Sequence, residues 1–297
     1  MLALDRDLQM RKESLEAFGQ LAERLLRYFP NVLHEYEEQH QYRIYRSQIA
    51  GVTKYIRPIN SKLFLADPDH FRERFTALLA LLADLRAGQA PDLFGPHTAD
   101  QVLYTIQQAV GAGLDLLVDP NGARKHAGNR FEELIRAVFS EMGIANKKMV
   151  LQIPYETEDG TKIYQCENDL ILSPYAEVRS TRHHLDPAEV VVSIKTTSKD
   201  RMGKIFIDKM LLERFVGHPQ KVIGIFLNDV QRKRNDRVSF TLVSGLFMVY
   251  SQFLVELEGI YYLDPPPNAR KAPFNRHMHS FAQFLLRDFQ TLLRPEA

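Results

Sequence analysis

The stretch VVVSIKTTSKDR, residues 190–201, decides the fold because it reads as a buried strand that runs into a basic loop. Side chains alternate between the two faces of a strand, so Ser193 and Lys195 point the same way. A lysine at the end of an apolar strand is costly to bury unless a charged partner or a ligand lies beside it. The stretch therefore predicts a central strand with a charged site at its end.

The segments around this strand predict a mixed α/β core. A helix and two strand-like runs joined by a turn precede it, and a helix and an apolar strand follow it. These segments are 129–144, 149–172, 203–215 and 221–227, and the residues DPNGARKHAG, 119–128, are expected to form a loop before the first helix. This order is typical of a mixed central β-sheet flanked by helices.

Length and composition allow one large domain or two small ones. The chain has 297 residues, with the 45% apolar and 25% charged residues of an ordinary globular protein. We expect a mainly helical N-terminal region over residues 1–120 and the α/β core over 121–297, or one continuous domain. The formal net charge is +1, so any nucleic-acid footprint must be local.

The sequence predicts a cytoplasmic protein with no membrane segment. Its single cysteine, Cys166, excludes an internal disulfide and fits a reducing compartment. The first residues carry charges throughout, unlike a signal peptide. No apolar run approaches the roughly 20 residues that span a bilayer.

Two carboxylates are candidates to share a site with Lys195. Asp169 lies among apolar neighbours near the end of a predicted strand, where a carboxylate is costly without a cation or good hydrogen bonds. Asp208 falls on a helical stripe that is otherwise apolar. The stripe consists of Ile205, Asp208, Leu212 and Phe215, and Glu213 is an alternative acid on a different stripe.

Asp169 and Asp208 together are suited to hold one Mg²⁺, which prefers oxygen ligands. Lys195 would orient or deprotonate an attacking water and offset charge on a phosphate. The simpler alternatives are a structural ion pair between Asp169 and Lys195 and a solvated Asp208. Glu132 is a further catalytic candidate, although acids in the first turns of a helix are also favoured by the helix dipole alone.

These residues resemble the PD-(D/E)XK nucleases, and among them the type II restriction endonucleases. Asn168-Asp169 stands for the Pro-Asp pair, and Ser193-Ile194-Lys195 stands for the acid-x-Lys triad. Serine replaces the acid in a branch that includes the EcoRII, SsoII and NgoMIV types, where the following helix supplies the missing carboxylate. Asp208 lies 13 residues after Lys195 and matches that position, with Asp in place of the usual Glu.

The resemblance implies a Mg²⁺-dependent enzyme that cuts double-stranded DNA at a short palindrome with a CCGG- or CCNGG-like core. The loop that follows Lys195 would recognise the bases of this site, with Lys199 and Arg201 donating to guanine and Asp200 accepting from cytosine. The alternative is that these loop residues form a solvated turn between strand and helix. A twofold-symmetric site calls for a homodimer.

Arg43, Tyr45 and Arg46 are candidates for a pocket that holds an extruded base, as relatives with CCNGG-like sites use an aromatic residue and an arginine. The alternative is that these residues hold the N-terminal region together. Two other functions stay open: a sequence-specific DNA-binding protein on a degenerate nuclease fold, and a repair nuclease of the same superfamily.

Overall fold

The computed structural model describes residues 3–49, 51–89, 97–199, 201–232, 237–240, 242 and 244–293. Its α-helices are α1 (Leu4–Gln9), α2 (Leu15–Tyr28), α3 (Pro68–Arg86), α4 (His97–Leu117), α5 (Pro120–Glu141), α6 (Met202–Val216), α7 (Ser244–Phe253), α8 (Phe281–Gln283) and α9 (Phe289–Leu292). Its strands are β1 (Glu35–Gln39), β2 (Tyr42–Ile49), β3 (Val52–Tyr55), β4 (Ile59–Asn60), β5 (Ala145–Thr157), β6 (Gly160–Ser173), β7 (Val190–Thr197), β8 (Lys221–Asn228), β9 (Val230–Arg232), β10 (Val238–Phe240), β11 (Gly259–Tyr262) and β12 (Met278–Ser280).

A central sheet organises the molecule. Within the described ranges it has six strands, in the order β12-β11-β8-β7-β6-β5. Strands β5, β6 and β7 pair antiparallel, whereas β7, β8, β11 and β12 run parallel. Strand β8 and the first three residues of β7 are almost continuously apolar and buried, as parallel strands covered on both faces are. The predicted mixed α/β core is confirmed.

Helices cover both faces of this sheet. Val192 of β7 belongs to the apolar cluster that contains Phe131 of α5, whereas Val191 belongs to the cluster that contains Phe206 of α6. Because side chains alternate along a strand, Lys195 lies on the same side as Val191. The lysine therefore points toward the side of the sheet that α6 covers.

The N-terminal helices pack onto α5 through a continuous apolar cluster. Leu25 of α2, Phe71 of α3 and Leu103 of α4 are buried in it together with Phe131 and with Phe284 near the C-terminus. Strands β1 to β4 form a small antiparallel sheet within this region, which the sequence reading did not predict. The division of the chain at residue 120 stays a prediction.

The loop predicted over residues 119–128 is wrong, because α5 already begins at Pro120. The carboxylate of Asp119 accepts hydrogen bonds from the backbone N–H groups of Asn121 and Gly122, at 3.1 and 3.0 Å. Asp as the N-cap and Pro at the first helical position make a stable helix start, although the same pair also occurs in turns. Ala127 is buried, so the added turns contribute to the core.

Helix α6 has nearly its predicted length. It ends at Val216 and is capped by Gly217, whose φ of +78° is the left-handed conformation that favours glycine at this position. None of the helices within the described ranges combines the length and the hydrophobicity needed to cross a membrane.

Candidate active site

Asp169 of β6 and Lys195 of β7 form an ion pair where the pairing of their strands stops. The last backbone pair joins Leu170 to Val192. Beyond it, Oδ2 of Asp169 accepts hydrogen bonds from the backbone N–H of Ile194, at 2.8 Å, and from Nζ of Lys195. Only 11% of the Asp169 side chain and 27% of the Lys195 side chain are exposed. The carboxylate thus replaces a backbone acceptor and fixes the lysine.

A β-bulge in β6 sets the direction of Asp169. The register pairs Lys147 with Ile171 and Met149 with Asn168. The single residue between the two pairs on β5 therefore faces two residues on β6, and one of these two is Asp169. Bulges bend a strand and change the aim of a side chain, and they are frequent beside active sites.

Asp169, Lys195 and Asp208 line one cleft of about 280 Å³ between the sheet and α6. The cleft is also lined by Ser193, Arg201 and Lys204. Asp208 reaches it because Ile205 and Leu212, on the same helical stripe, are buried against the sheet. The structure thus brings together Lys195 and the two predicted carboxylates in one cleft. The catalytic roles of all three residues stay predictions.

Asp208 is paired with a lysine that the sequence reading missed. Nζ of Lys204, one turn earlier on α6, donates to both oxygens of Asp208 at 2.6 Å. Burial lowers the pKa of Lys204, but the Asp208 carboxylate raises it by more, so the net shift is upward. A Lys four residues before an Asp on a helix is the sequence signal for this pair.

The charge of Asp208 changes the pKa of a second residue that lines the cleft. Burial and, after it, the Asp208 carboxylate raise the pKa of the Cys166 thiol, which also lines the cleft. The single cysteine is buried beside the candidate site.

Glu213, the alternative acid, has a different environment. Its Oε1 accepts a hydrogen bond from the backbone N–H of Gln220 at 3.1 Å and lies 3.8 Å from Nζ of Lys209. Glu213 is not among the residues that line the cleft. Through its hydrogen bond to Gln220, Glu213 connects the end of α6 to the start of β8.

Glu132 of α5 lies close to the site on the opposite side of the sheet. Burial and, next, the charge of Asp169 raise its pKa. Nζ of Lys148 donates to its Oε2 at 3.3 Å. Lys148 is the β5 residue opposite the bulge, and the sequence reading did not single it out. The neighbouring Glu133 has a structural role instead, since it accepts from Arg130 and from the backbone of Lys12.

The donor set of the cleft fits a hard divalent cation. Mg²⁺ takes carboxylate and water oxygens and usually keeps several waters, so two protein carboxylates suffice. Oδ1 of Asp169 accepts no hydrogen bond from any residue in the described ranges, which leaves one oxygen of this carboxylate for a metal ion. Within the same ranges, no three His, Cys, Asp or Glu side chains form a ready-made metal site.

A buried acid, Asp229, holds the loop that follows Lys195 in place. Asp229, at the end of β8, accepts hydrogen bonds from the backbone N–H of Ser198 and from the hydroxyl of Tyr262, both at 3.0 Å. Burial raises the pKa of Asp229. Sequence reasoning missed Asp229, because its partner lies 31 residues away in the chain.

The predicted base-reading residues follow this anchor. Nζ of Lys199 donates to Oε1 of Gln231 in β9 at 3.3 Å. Arg201 is the N-cap residue of α6 and lines the cleft. Asp200 lies outside the described residues.

Arg43, Tyr45 and Arg46 lie on β2 of the small sheet, but not on one face. Arg43 stacks on the Tyr36 ring, with 4.8 Å from its guanidinium carbon to the ring centre, and Tyr36 and Tyr45 lie 5.3 Å apart. Arg46 instead stacks on Tyr55, at 5.7 Å. Strand alternation accounts for the split.

The antiparallel strands β9 and β10 connect the loop that follows Lys195 to the small sheet. Strand β9 contacts Lys199 through Gln231, and the backbone N–H of Val238 in β10 donates to Oε1 of Gln39 at 2.9 Å. The rings of Phe240 and Tyr42 lie 6.0 Å apart. The small sheet is therefore linked, through β9 and β10, to Lys199 in the loop that follows Lys195.

The central sheet, its two helical layers and the cleft at the end of β6 and β7 define the restriction-endonuclease fold. The chain superposes on the crystal structure of the type IIP restriction endonuclease Kpn2I with a TM-score of 0.71 and 20% sequence identity, covering 94% of this chain and 91% of that one. A second match is restriction endonuclease PspGI in complex with substrate DNA, with a TM-score of 0.44 and 13% identity over 75% of this chain and 91% of that one. The predicted fold class is confirmed.

No protein-family model and no curated protein sequence matches this chain.

Proposed function

We propose that the protein is a type II restriction endonuclease that hydrolyses double-stranded DNA with Mg²⁺ at a short palindrome with a CCGG- or CCNGG-like core. The observation that carries the proposal is the ion pair between Asp169 and Lys195 in a cleft that Asp208 also lines. A partly buried pair beside a second carboxylate is typical of catalytic centres that handle a metal ion and a phosphate. The restriction-endonuclease fold is consistent with this chemistry.

Three charged residues of the cleft, Asp169, Lys195 and Asp208, have catalytic roles in the proposal. Asp169 and Asp208 would hold Mg²⁺, which when bound supplies a Lewis acid beside the scissile phosphate. Lys195, held by Asp169, donates to the attacking water or to a phosphate oxygen and offsets negative charge that develops there. Burial and the charge of Asp169 raise the pKa of Glu132, which makes Glu132 a candidate to hold a proton near the site.

Base recognition is assigned to the loop that follows Lys195. Lys199 and Arg201 would donate to O6 and N7 of guanine, and Asp200 would accept from the amino group of cytosine. The anchor from Asp229 to Ser198 supports this role, since a loop that reads base edges must hold its position. Arg43, Tyr45 and Arg46 are also proposed to contact the DNA.

The proposal includes a homodimer, with one active site for each strand of the palindrome. Residues 238–255 contain no Asp, Glu, Lys or Arg, and α7 lies within this segment. Val249 and Phe253 of α7 are 51% and 77% exposed. An uncharged apolar face can meet its own copy without like-charge repulsion, and such patches commonly mark interfaces.

A second candidate is a DNA-binding protein on a degenerate nuclease fold. Ser193 in place of the usual acid and the pairing of Asp208 with Lys204 favour it. A repair nuclease of the same superfamily is the remaining alternative.

Incubation with linear duplexes distinguishes these functions. A duplex that contains CCGG or CCNGG is cut with Mg²⁺ and left intact with EDTA if the protein is a restriction endonuclease. Binding without cutting identifies the DNA-binding protein, and preference for branched over palindromic duplexes identifies the repair nuclease.

A further inference from the structure

Lys204 occupies the position at Asp208 that a metal ion would need. Its Nζ lies 2.6 Å from both carboxylate oxygens, so one ammonium group is hydrogen-bonded to both oxygens that could bind a metal ion. A divalent cation on the same oxygens would lie within a few Å of this ammonium, where repulsion between the positive charges is strong even in water. Lys204 and Mg²⁺ therefore compete for Asp208.

In the proposed reaction, a DNA phosphate is a second anion with which Lys204 can pair. About half of its side chain, 52%, is exposed, whereas Asp208 is 25% exposed. Lys204 lines the same cleft as Lys195 and Arg201, so a phosphate that enters the cleft meets its ammonium group. An ion pair four residues apart on an exposed helix is among the weakest in proteins, and a phosphate replaces such a partner easily.

We propose that Lys204 keeps Asp208 from binding metal until DNA enters the cleft, and that a DNA phosphate then takes Lys204 and releases Asp208 to Mg²⁺. The inference rests on the proposed function for the identity of the metal and of the DNA. It adds an order to their binding, with DNA before metal.

The exchange makes binding of the two ligands cooperative. DNA raises the affinity for Mg²⁺ because it removes a competing cation, and Mg²⁺ must raise the affinity for DNA by the same factor. Without Lys204 this coupling shrinks, because Asp208 is then free in both states.

Calorimetric titration of Mg²⁺ into the DNA-free protein tests the first part of the proposal, that Lys204 keeps Asp208 from binding metal. Lys204→Met should bind Mg²⁺ about tenfold more tightly than the unmodified protein. The matched control is Lys162→Met, which removes a 50% exposed lysine paired with Asp159 at the tip of the β5–β6 hairpin and should leave the affinity unchanged. Adding Asp208→Asn to Lys204→Met should abolish the gain and so locate the metal at Asp208.

Equal or weaker Mg²⁺ binding by Lys204→Met would overturn the proposal, as would a gain that survives Asp208→Asn. No detectable Mg²⁺ binding by either the unmodified protein or Lys204→Met would also overturn it. These readouts need no DNA cleavage, so they separate a failure of this inference from a failure of the proposed nuclease function.

The salt dependence of DNA binding tests the second part of the proposal. In EDTA, the plot of log affinity against log salt for a CCGG duplex should lose about one unit of slope in Lys204→Met, because one phosphate contact is gone. Lys162→Met should keep the full slope. An unchanged slope in Lys204→Met would contradict the transfer of Lys204 to phosphate.

Discussion

Asp169 accepts a hydrogen bond from Lys195 on the same carboxylate oxygen that receives the backbone N–H of Ile194. One atom thus fixes the lysine side chain relative to its own strand at the point where β6 and β7 stop pairing. An ammonium group fixed in this way is preorganised to meet a phosphate or an attacking water, and preorganised charge is the main source of electrostatic catalysis.

Replacing the lysine should separate catalysis from binding. Lys195→Met is expected to lower the rate of DNA cleavage by about two to four orders of magnitude, the usual contribution of a positioned proton donor or acceptor. Affinity for a CCGG duplex should stay within a few-fold, because the recognition loop is anchored independently through Asp229. Single-turnover cleavage and equilibrium DNA binding measure the two effects.

The control for Lys195→Met is again Lys162→Met, which removes an equal charge from an exposed lysine that does not line the cleft. Loss of DNA binding together with cleavage in Lys195→Met would mean that the lysine serves the fold or recognition.

The two candidate acids on α6 should behave differently. Asp208→Ala is expected to remove Mg²⁺ binding and cleavage but to leave the unfolding temperature nearly unchanged, because its partner Lys204 is exposed and the pair contributes at most about 0.5 kcal/mol. Glu213→Ala should keep cleavage and lose about 1 kcal/mol of stability with its hydrogen bond to Gln220. Cleavage that survives in Asp208→Ala and disappears in Glu213→Ala would reverse the assignment.

A buried acid outside the cleft predicts a stability that depends on pH. Burial raises the pKa of Asp100 in α4 to about 8, despite the hydrogen bond from the backbone N–H of Ala282 at 2.8 Å. Because the folded pKa lies above the unfolded one, folding is stabilised by the proton at low pH and loses this contribution as the pH rises through about 8.

Asp100→Asn keeps the acceptor oxygen and removes the charge. It should therefore raise the free energy of unfolding at pH 9 by at least about 1 kcal/mol and flatten its fall between pH 5 and pH 9. Thermal unfolding across this range is the measurement, and Asp159→Asn, at a side chain that is 84% exposed, is the control. An unmodified protein whose stability rises from pH 5 to pH 9, with the same rise in Asp100→Asn, would refute the assignment.

The uncharged helix α7 gives a prediction about assembly. Phe253→Asp should convert the proposed dimer to a monomer, because the change brings two like charges together across a twofold axis. Ile163→Asp is the matched control, since Ile163 is a 57% exposed apolar residue on β6 and not on α7. Sedimentation analysis decides the matter, and a monomeric unmodified protein or equal dissociation of both variants would reject this interface.

Part of the site was predictable because it depends on local periodicity. Alternation along β7 put Ser193 and Lys195 on one face, and the helical stripe of α6 picked out Asp208. Both patterns repeat within a few residues, so they are visible in one sequence. The split of Val191 and Val192 between two apolar clusters follows from the same rule.

The remainder depends on contacts between distant segments. The bulge that aims Asp169 arises from the register of β5 against β6, which no single strand encodes. The anchor from Asp229 to Ser198 also joins separate elements. The start of α5 at Asp119 was missed for another reason, since an Asp-Pro pair serves both as a turn and as a helix cap.

The most direct test of the central claim is the mapped cut on a plasmid of known sequence. With Mg²⁺, the proposed enzyme produces discrete fragments whose ends on both strands map to CCGG- or CCNGG-containing sites, and EDTA abolishes them. A smear, cuts at unrelated sequences, or an intact plasmid that carries such sites would contradict the proposed restriction activity.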